Sequence, residues 1–436
     1  MARRRAHIPL NVFLNGRHVG CLERASSGAI SFTYEDSWLN WEHTMPVSLS
    51  LPLREDKYVG DPVIAVFDNL LPDNEPIRRR VAERTGAGGT DAYNLLSAIG
   101  RDCVGALQFL HDGDEPGAPA APEGTTLSEK DIERLIANLD VSPLGIRPEG
   151  DFRISIAGAQ EKTALLHKDG QWLEPIGTTP TTHIIKPQIG ELPNGIDLSD
   201  SVENEHFCLT FLRNFGLLVA DTEILQFGER KALAVERFDR RLTSDGRLLR
   251  LPQEDCCQAL SVPPTLKYQS EGGPGIVEIM KLLEGSDEPQ KDRADFFRAN
   301  LIFWLIGATD GHAKNFSIAL MPGGGFRMTP LYDVMTAQPA LDSKALNRKH
   351  MRLAMRVGNN NYYRFHDVLG RHFVQTAVKS GMSAEHAKEI IAGVQARVDD
   401  AIEATKASMD GEVSEELQAS VYAATRERRR LLDHIN

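Results

Sequence analysis

Residues Asp295–Ser317 read DFFRANLIFWLIGATDGHAKNFS. The first half is apolar on nearly every face, which predicts a helix buried on all sides rather than an amphipathic surface helix. Directly behind it, from Gly307, come Asp310, Gly311, His312, Lys314 and Asn315. Asp310 and Asn315 stand five positions apart. That is the spacing of the kinase catalytic loop HRDxxxxN, where the Asp accepts or orients the substrate hydroxyl proton and the Asn binds Mg²⁺. A buried helix feeding the loop can hold it rigidly, and positioning is most of what a phosphoryl-transfer enzyme has to supply.

The reading extends outward from there. LYDV supplies Asp333, 23 positions after Asp310, as a second metal ligand, with Val334 and Met335 where kinases carry Phe and Gly. Upstream, THIIKP ends an apolar strand on Lys186, placed to neutralise nucleotide phosphates. Glu203 and Glu205 lie on the following helix, and Glu205 is the favoured partner for that lysine. A small-residue loop, Ile156–Lys162 (IAGAQEK), offers backbone donors to phosphates from Ala157, Gly158, Ala159, Gln160, Glu161 and Lys162, without a GxGxxG pattern. In VERF, Glu236 and Phe238 can offer main-chain groups to adenine as a hinge.

Each part alone has a bland explanation. An Asp-x4-Asn pair also arises as a capped turn after a helix, Lys186 as a solvated strand end and Asp333 as a turn residue. His312 has no second His at ligand spacing, so it reads as a loop-ordering or phosphate-facing group rather than a metal ligand. The order of loop, lysine, acidic helix, hinge, Asp-x4-Asn and Asp is what points to an ATP site.

Bulk properties narrow the class. The chain has 436 residues, 41% of them hydrophobic, which suits two or three domains. A net charge of -12 argues against nucleic-acid binding over the whole surface. RERRR at Arg426–Arg430 reads as a solvated helix face. Five cysteines (Cys21, Cys103, Cys208, Cys256 and Cys257) without a CxxC fit a reducing, cytoplasmic setting better than a disulfide framework or structural zinc. The basic start, MARRRAHIPL, has no apolar run behind it, and no stretch is long and apolar enough to span a membrane.

The pattern of elements is mixed α+β. Asn15-Gly16 predicts a hairpin, EPIRRRVAERTG a helix closed by Gly86, and LSEKDIERLIANL a helix capped by Ser128. HDGDEPGAPAAPEGT, His111–Thr125, reads as a linker. FRISIAG, KTALLHKDGQWLE and THIIKP read as successive strands, with a tight turn at Asp169-Gly170, and EILQFGERKALAVERFDR as a further hairpin. SVENEHFCLTFLRNFG and SAEHAKEIIAGVQARVDDAIEA read as helices, the second capped by Ser383. The expected organisation is a β-rich N-terminal domain over 1–110, a linker and connecting helix over 111–150, a kinase small lobe over 151–252 and a helical large lobe over 253–436.

The wording of FRISIAGAQEKTALL, TTHIIKP, ALAVERFDRR, RLPQEDCCQAL, GGPGI, WLIGATDGHAKNFS and MTPLYDV closely resembles the HipA family along nearly the whole chain. Those are serine/threonine protein kinases that act as toxins of bacterial toxin–antitoxin modules. The resemblance implies a two-lobed kinase fold with an appended N-terminal domain, use of ATP and Mg²⁺, and a HipB-type helix-turn-helix antitoxin dimer that binds operator DNA. It also implies an aminoacyl-tRNA synthetase substrate, notably the glutamate enzyme, with inhibition of translation and persistence as the outcome. By that resemblance Asp310 is the catalytic base, and Asn315 and Asp333 hold Mg²⁺. Lys186, Ala157–Lys162 and Glu236–Phe238 contact nucleotide, as do His312, Ala313, Lys314, Asn315 and Tyr332. Ser155 matches the autophosphorylated serine. The family's short basic DNA contact falls near TAVKSG, where Lys379 is the basic residue present. Two rivals remain open at this level: a small-molecule kinase of the aminoglycoside type, and a catalytically idle co-repressor scaffold. The set Lys186, Asp310, Asn315 and Asp333 weighs against the scaffold.

Overall fold

The computed structural model describes residues 9–117, 120–146, 153–191, 195–409 and 411–435. The basic start of the chain, Phe152 and parts of the linker lie outside the described residues. Two compact units emerge, and neither follows chain order. The first gathers Met1–Pro187, Leu225–Thr265 and Ala319–Gly325; the second gathers Gln188–Ile224, Leu266–Ile318 and Phe326–Asn436.

The first unit holds two larger sheets and a two-stranded ribbon, Arg240–Leu242 with Leu248–Arg250, among its described residues. Strands Leu10–Leu14 and Arg17–Arg24 form the expected hairpin, turned by Asn15 (φ 48°) and Gly16 (φ 83°). Two positive φ values in succession are what a tight hairpin turn asks of its central residues. Ile30–Tyr34, Tyr58–Val59 and Leu107–Leu110 complete a five-stranded sheet. Phe32, Phe67 and Phe109 meet edge to face at 5.4 Å between neighbouring rings, all buried. Helix Glu75–Thr85 is capped by Asn74 and stopped by left-handed Gly86.

In the second sheet, Thr163–Lys168 pairs with Gln171–Pro175 across the Asp169-Gly170 turn, and His183–Pro187 lies between Thr163–Lys168 and Arg230–Glu236. Helix Glu129–Ala137, with a capping box at Ser128 and Asp131, covers this sheet. Its Ile132 and Ile136 pack with Leu165, Ile185, Phe227, Ala232 and Ala234.

Two expectations are corrected. The linker His111–Thr125 runs into a short edge strand, Gly124–Thr126, paired to Gln171–Pro175. Three residues carry no readable alternation, so the partner strand decides their state. FRISIAG does not form a strand either. Among its described residues, only Ile154 and Gly158 make isolated bridges, to Asp102 and Pro72. Ile154, Ser155 and Ile156 are buried, which accounts for the apolar alternation without a ladder.

This unit buries a charged cluster. Asp102 accepts from Arg240 at 2.8 Å, Arg250 at 2.9 Å and Arg237 at 3.3 Å; Asp239 accepts from Arg237 at 2.8 Å. Burial alone would raise the Asp102 carboxyl. The guanidiniums of Arg240, Arg250 and Arg237 outweigh it and hold the group well below the usual carboxylate range.

The second unit is mostly helical. Helix Pro289–Ile306 buries Phe296, Phe297, Leu301, Ile302, Phe303, Trp304, Leu305 and Ile306, as its all-round apolar pattern requires. Gly307 ends it in the left-handed conformation at φ 81°. Helices Ser201–Asn214, Gly370–Lys379, Ala384–Ser408 and Glu415–Leu431 also belong to it, with Ser383 capping the longest. The stripe Ala387, Ile390, Ile391, Val394, Val398 and Ile402 is buried.

Candidate active site

Beyond Gly307 the chain cannot continue as helix, and Ala308 instead forms a bridge with Thr336. That contact brings the Asp310 loop alongside the segment that follows Asp333. The loop then closes on itself: His312 N–H donates to the Asp310 carbonyl at 2.8 Å, and Asn315 N–H to the His312 carbonyl at 2.9 Å. Asn315 Nδ2 donates to the Asp310 carbonyl at 2.7 Å and reaches the Asp333 carbonyl at 3.4 Å. One amide therefore gathers both carboxylate-bearing residues, and its Oδ1 is the oxygen left for other work.

Asp333 sits at φ 57°. A non-glycine residue in the left-handed region is strained, and such strain concentrates at functional sites. Tyr332 O–H donates to the Lys314 carbonyl at 2.8 Å and lies 2.5 Å from Ser317 Oγ. Lys314 and His312 are buried.

The Asp310 side chain is 55% exposed, so an acceptor can approach it. Tyr268 O–H donates to its Oδ1 at 2.6 Å, and His312 Nε2 lies 3.9 Å from its Oδ2. Tyr268 and His312 meet edge to face at 4.9 Å. Sequence reasoning missed Tyr268, because nothing in its local pattern links it to a residue 42 positions away. Asp310 also lines a groove of about 990 Å³ within the second unit. Glu205, on helix Ser201–Asn214, is buried; Glu203 is half-buried and accepts from Gln188 Nε2 at 3.4 Å.

Ser155, the Ala157–Lys162 loop, Lys186 and the Glu236–Phe238 stretch belong to the first unit, and Lys379 to the second. Gly158 adopts φ 111°, and its carbonyl accepts from Asp73 N–H at 3.0 Å. Lys162 Nζ donates to the Ala157 carbonyl at 2.7 Å, folding the Ala157–Lys162 loop over its own lysine. A Cβ added to Gly158 would come within 2.5 Å of that Nζ. Gln160 Nε2 donates to the Pro187 carbonyl at 3.1 Å, and Glu161 accepts from Arg80. Ala159 is exposed within the same loop. Lys186 is buried and pairs in register with Leu233.

Ser155 is fully buried. Its hydroxyl donates to the Leu70 carbonyl at 2.7 Å. Of the hinge triplet, Arg237 is engaged throughout: its N–H donates to the Thr182 carbonyl, its carbonyl accepts from Arg240, and its side chain belongs to the Asp102 cluster. Glu236 is exposed and Phe238 half-buried. Lys379 Nζ donates to the carbonyls of Gly358 at 3.1 Å and Asn359 at 3.3 Å.

For Mg²⁺, Asn315 Oδ1 and the Asp333 carboxylate offer hard oxygens of the kind the ion prefers, and one or two carboxylates usually suffice when phosphates complete the shell. No helix among the described residues is long and apolar enough to cross a membrane.

Comparison with known proteins adds to this geometry. Residues 154–402 match the family described as HipA-like C-terminal domain, and residues 10–110 the HipA N-terminal domain. The chain is 38% identical over 355 residues to "Putative kinase Y4mE" of Sinorhizobium fredii, covering 80% of each chain. It is 29% identical over 314 residues to the serine/threonine-protein kinase toxin HipA of Shewanella oneidensis, covering 68% of each. Among solved structures, the Shewanella oneidensis HipA–HipB–operator DNA complex aligns over 98% of this chain and 99% of that one, with TM-score 0.80 and 22% identity. At that identity the likeness speaks for the fold.

Proposed function

Because the chain belongs to the HipA family of kinases, we propose that it is a Mg²⁺- and ATP-dependent serine/threonine protein kinase toxin, restrained by a HipB-type helix-turn-helix antitoxin. The observation that carries the catalytic reading is the Asn315 amide, whose Nδ2 reaches the carbonyls of both Asp310 and Asp333.

In this reading Asp310 takes the proton of the acceptor hydroxyl. Tyr268 holds one carboxylate oxygen and so orients the other toward the acceptor. Asn315 and Asp333 hold Mg²⁺, which neutralises phosphate charge when bound. Lys186, the Ala157–Lys162 loop, Tyr332 and the stretch His312–Lys314 bind the nucleotide. Since both main-chain groups of Arg237 are spent internally, the adenine contact falls to Glu236 and Phe238.

Ser155 is the proposed autophosphorylation site. Its hydroxyl is buried against Leu70, so the segment must leave its place to be phosphorylated. A phosphate carries about -1.5 to -2 charge at neutral pH and cannot return to a site without solvent. Phosphorylation thereby holds the adjoining loop out and lowers nucleotide affinity. The proposed protein substrate is an aminoacyl-tRNA synthetase, the glutamate enzyme first. Operator DNA is held mainly through the antitoxin, with Lys379 a minor contact.

The test is mass spectrometry of phosphosites after Mg-ATP is added to the purified protein and to lysate. Phosphate on a synthetase and on Ser155 supports the reading. Transfer only to a small alcohol such as an aminoglycoside would establish the rival small-molecule kinase.

A further inference from the structure

Helix Glu415–Leu431 turns one cation inward. Arg428 is 9% exposed. Its Nη1 donates to the Leu305 carbonyl at 2.9 Å and its Nη2 to Gln338 Oε1 at 2.5 Å. Met351 Sδ lies 3.9 Å from Nη2, and the Phe365 ring centroid 5.3 Å from Cζ. These acceptors are all neutral. Burial pulls the guanidinium down to about 10, and the charges of Glu427 and Asp342 only partly offset that cost.

What the side chain gains is geometric. Leu305 precedes Asp310 by five positions, and Gln338 follows Asp333 by five. The two segments meet directly: Ala337 N–H donates to the Gly307 carbonyl at 2.9 Å, and Thr336 Oγ1 to the Ile306 carbonyl at 2.6 Å. Asn204, next to Glu205, exchanges two bonds with the Thr336 backbone, at 2.8 and 3.0 Å. The Arg428 fork bridges the same two segments, with one arm on each.

We propose that Arg428 is a positioning residue of the kinase site: its planar fork sets the spacing between the segment that ends in Asp310 and the segment that begins at Asp333. The inference rests on the kinase reading above. Arginine suits the task because its donors are fixed in one plane, whereas lysine presents a point charge on a flexible stem. Misplacement by about 1 Å can cost on the order of 10²-fold in rate.

The test compares wild type, Arg428→Lys and Gln338→Met, with Asp310→Asn as reference. Each is assayed for single-turnover phosphate transfer at saturating ATP, well below its own unfolding midpoint, and across a Mg²⁺ titration. Arg428→Lys should slow transfer roughly 10- to 100-fold per folded molecule and raise the Mg²⁺ concentration for half-maximal rate. Gln338→Met should do the same more mildly. Combining the two should cost less than the product of the single effects, because both break one bridge. A lowered midpoint with unchanged rate and unchanged Mg²⁺ requirement in both variants overturns the proposal and leaves Arg428 merely structural. If Arg428→Lys does not fold, Gln338→Met decides alone. If the wild type itself transfers no phosphate to protein, the kinase reading has failed, which is a separate outcome.

Discussion

Asn315 Nδ2 donates to the main-chain carbonyl of Asp310 at 2.7 Å. The residue proposed to hold the metal thus also fixes the backbone that carries the proposed base. The two roles use opposite ends of one amide, so they can be separated by substitution.

Asp310→Asn is expected to leave the fold and most nucleotide affinity intact, because the swap is nearly isosteric and the Asn315 bond goes to the main chain. Transfer should fall about 10²- to 10⁴-fold, the usual loss for a general base. Phosphate transfer by the variant at near wild-type rate would falsify the assignment of Asp310.

For the metal, Asp333→Asn is a better probe than Asp333→Ala. Asn tolerates the left-handed conformation at φ 57°, whereas Ala adds backbone strain of about 1 kcal/mol or more. Calorimetry should show Mg-ATP affinity reduced well beyond the loss for metal-free ATP. Equal losses for both forms point to a structural role.

Ser155→Asp places a carboxylate in a fully buried site against Leu70. The Ala157–Lys162 loop should become cleavable by protease and ATP affinity should drop, while Ser155→Ala keeps the loop protected. Equal protection in the two variants removes the self-inhibiting switch even if the kinase activity stands.

The pH dependence has a specific source. Glu254 is buried with its Oε1 accepting from Leu49 N–H at 2.8 Å. Burial pushes its carboxyl up to about 8, with the Leu49 N–H and Ser48 hydroxyl pulling the other way. Between the ordinary value near 4.5 and about 8 the folded state keeps a proton that the unfolded state has lost. Stability from this group is therefore full below the ordinary value and falls as pH rises, by about 1.4 kcal/mol per unit, until the folded carboxyl ionises. Thermal midpoints of Glu254→Gln should exceed wild type at pH 8 and lack this slope. Parallel profiles for the two proteins count against the buried proton.

Asp102→Ala should destabilise the first unit by roughly 3–5 kcal/mol, since it leaves Arg237, Arg240 and Arg250 without their shared carboxylate. Denaturant titration checks this. A loss under about 1 kcal/mol would mean that water or Asp239 takes over the charge.

Local signals were legible in the sequence where one short stretch decides the outcome. Asn15-Gly16 and Asp169-Gly170 turn hairpins because both residues of each pair accept positive φ. Ser128 and Ser383 cap helices because their hydroxyls reach a backbone N–H three residues on. Gly307 ends the buried helix because it lacks a Cβ. The order of Lys186, Asp310, Asn315 and Asp333 could likewise be read along the chain. What only the tertiary structure decided depends on partners far apart in sequence. Ile154–Ile156 has the alternation of a strand, yet its neighbours are single bridges and buried contacts, so burial rather than pairing explains the pattern. Arg237 sits in the VERF stretch, yet its side chain is bonded to Asp102, 135 positions away. Tyr268 meets Asp310, and Arg428 meets Leu305 and Gln338, across separations that no periodicity encodes. Backbone propensity acts over a few residues, whereas the desolvation of a charged group is balanced by whichever groups the folded chain brings to it.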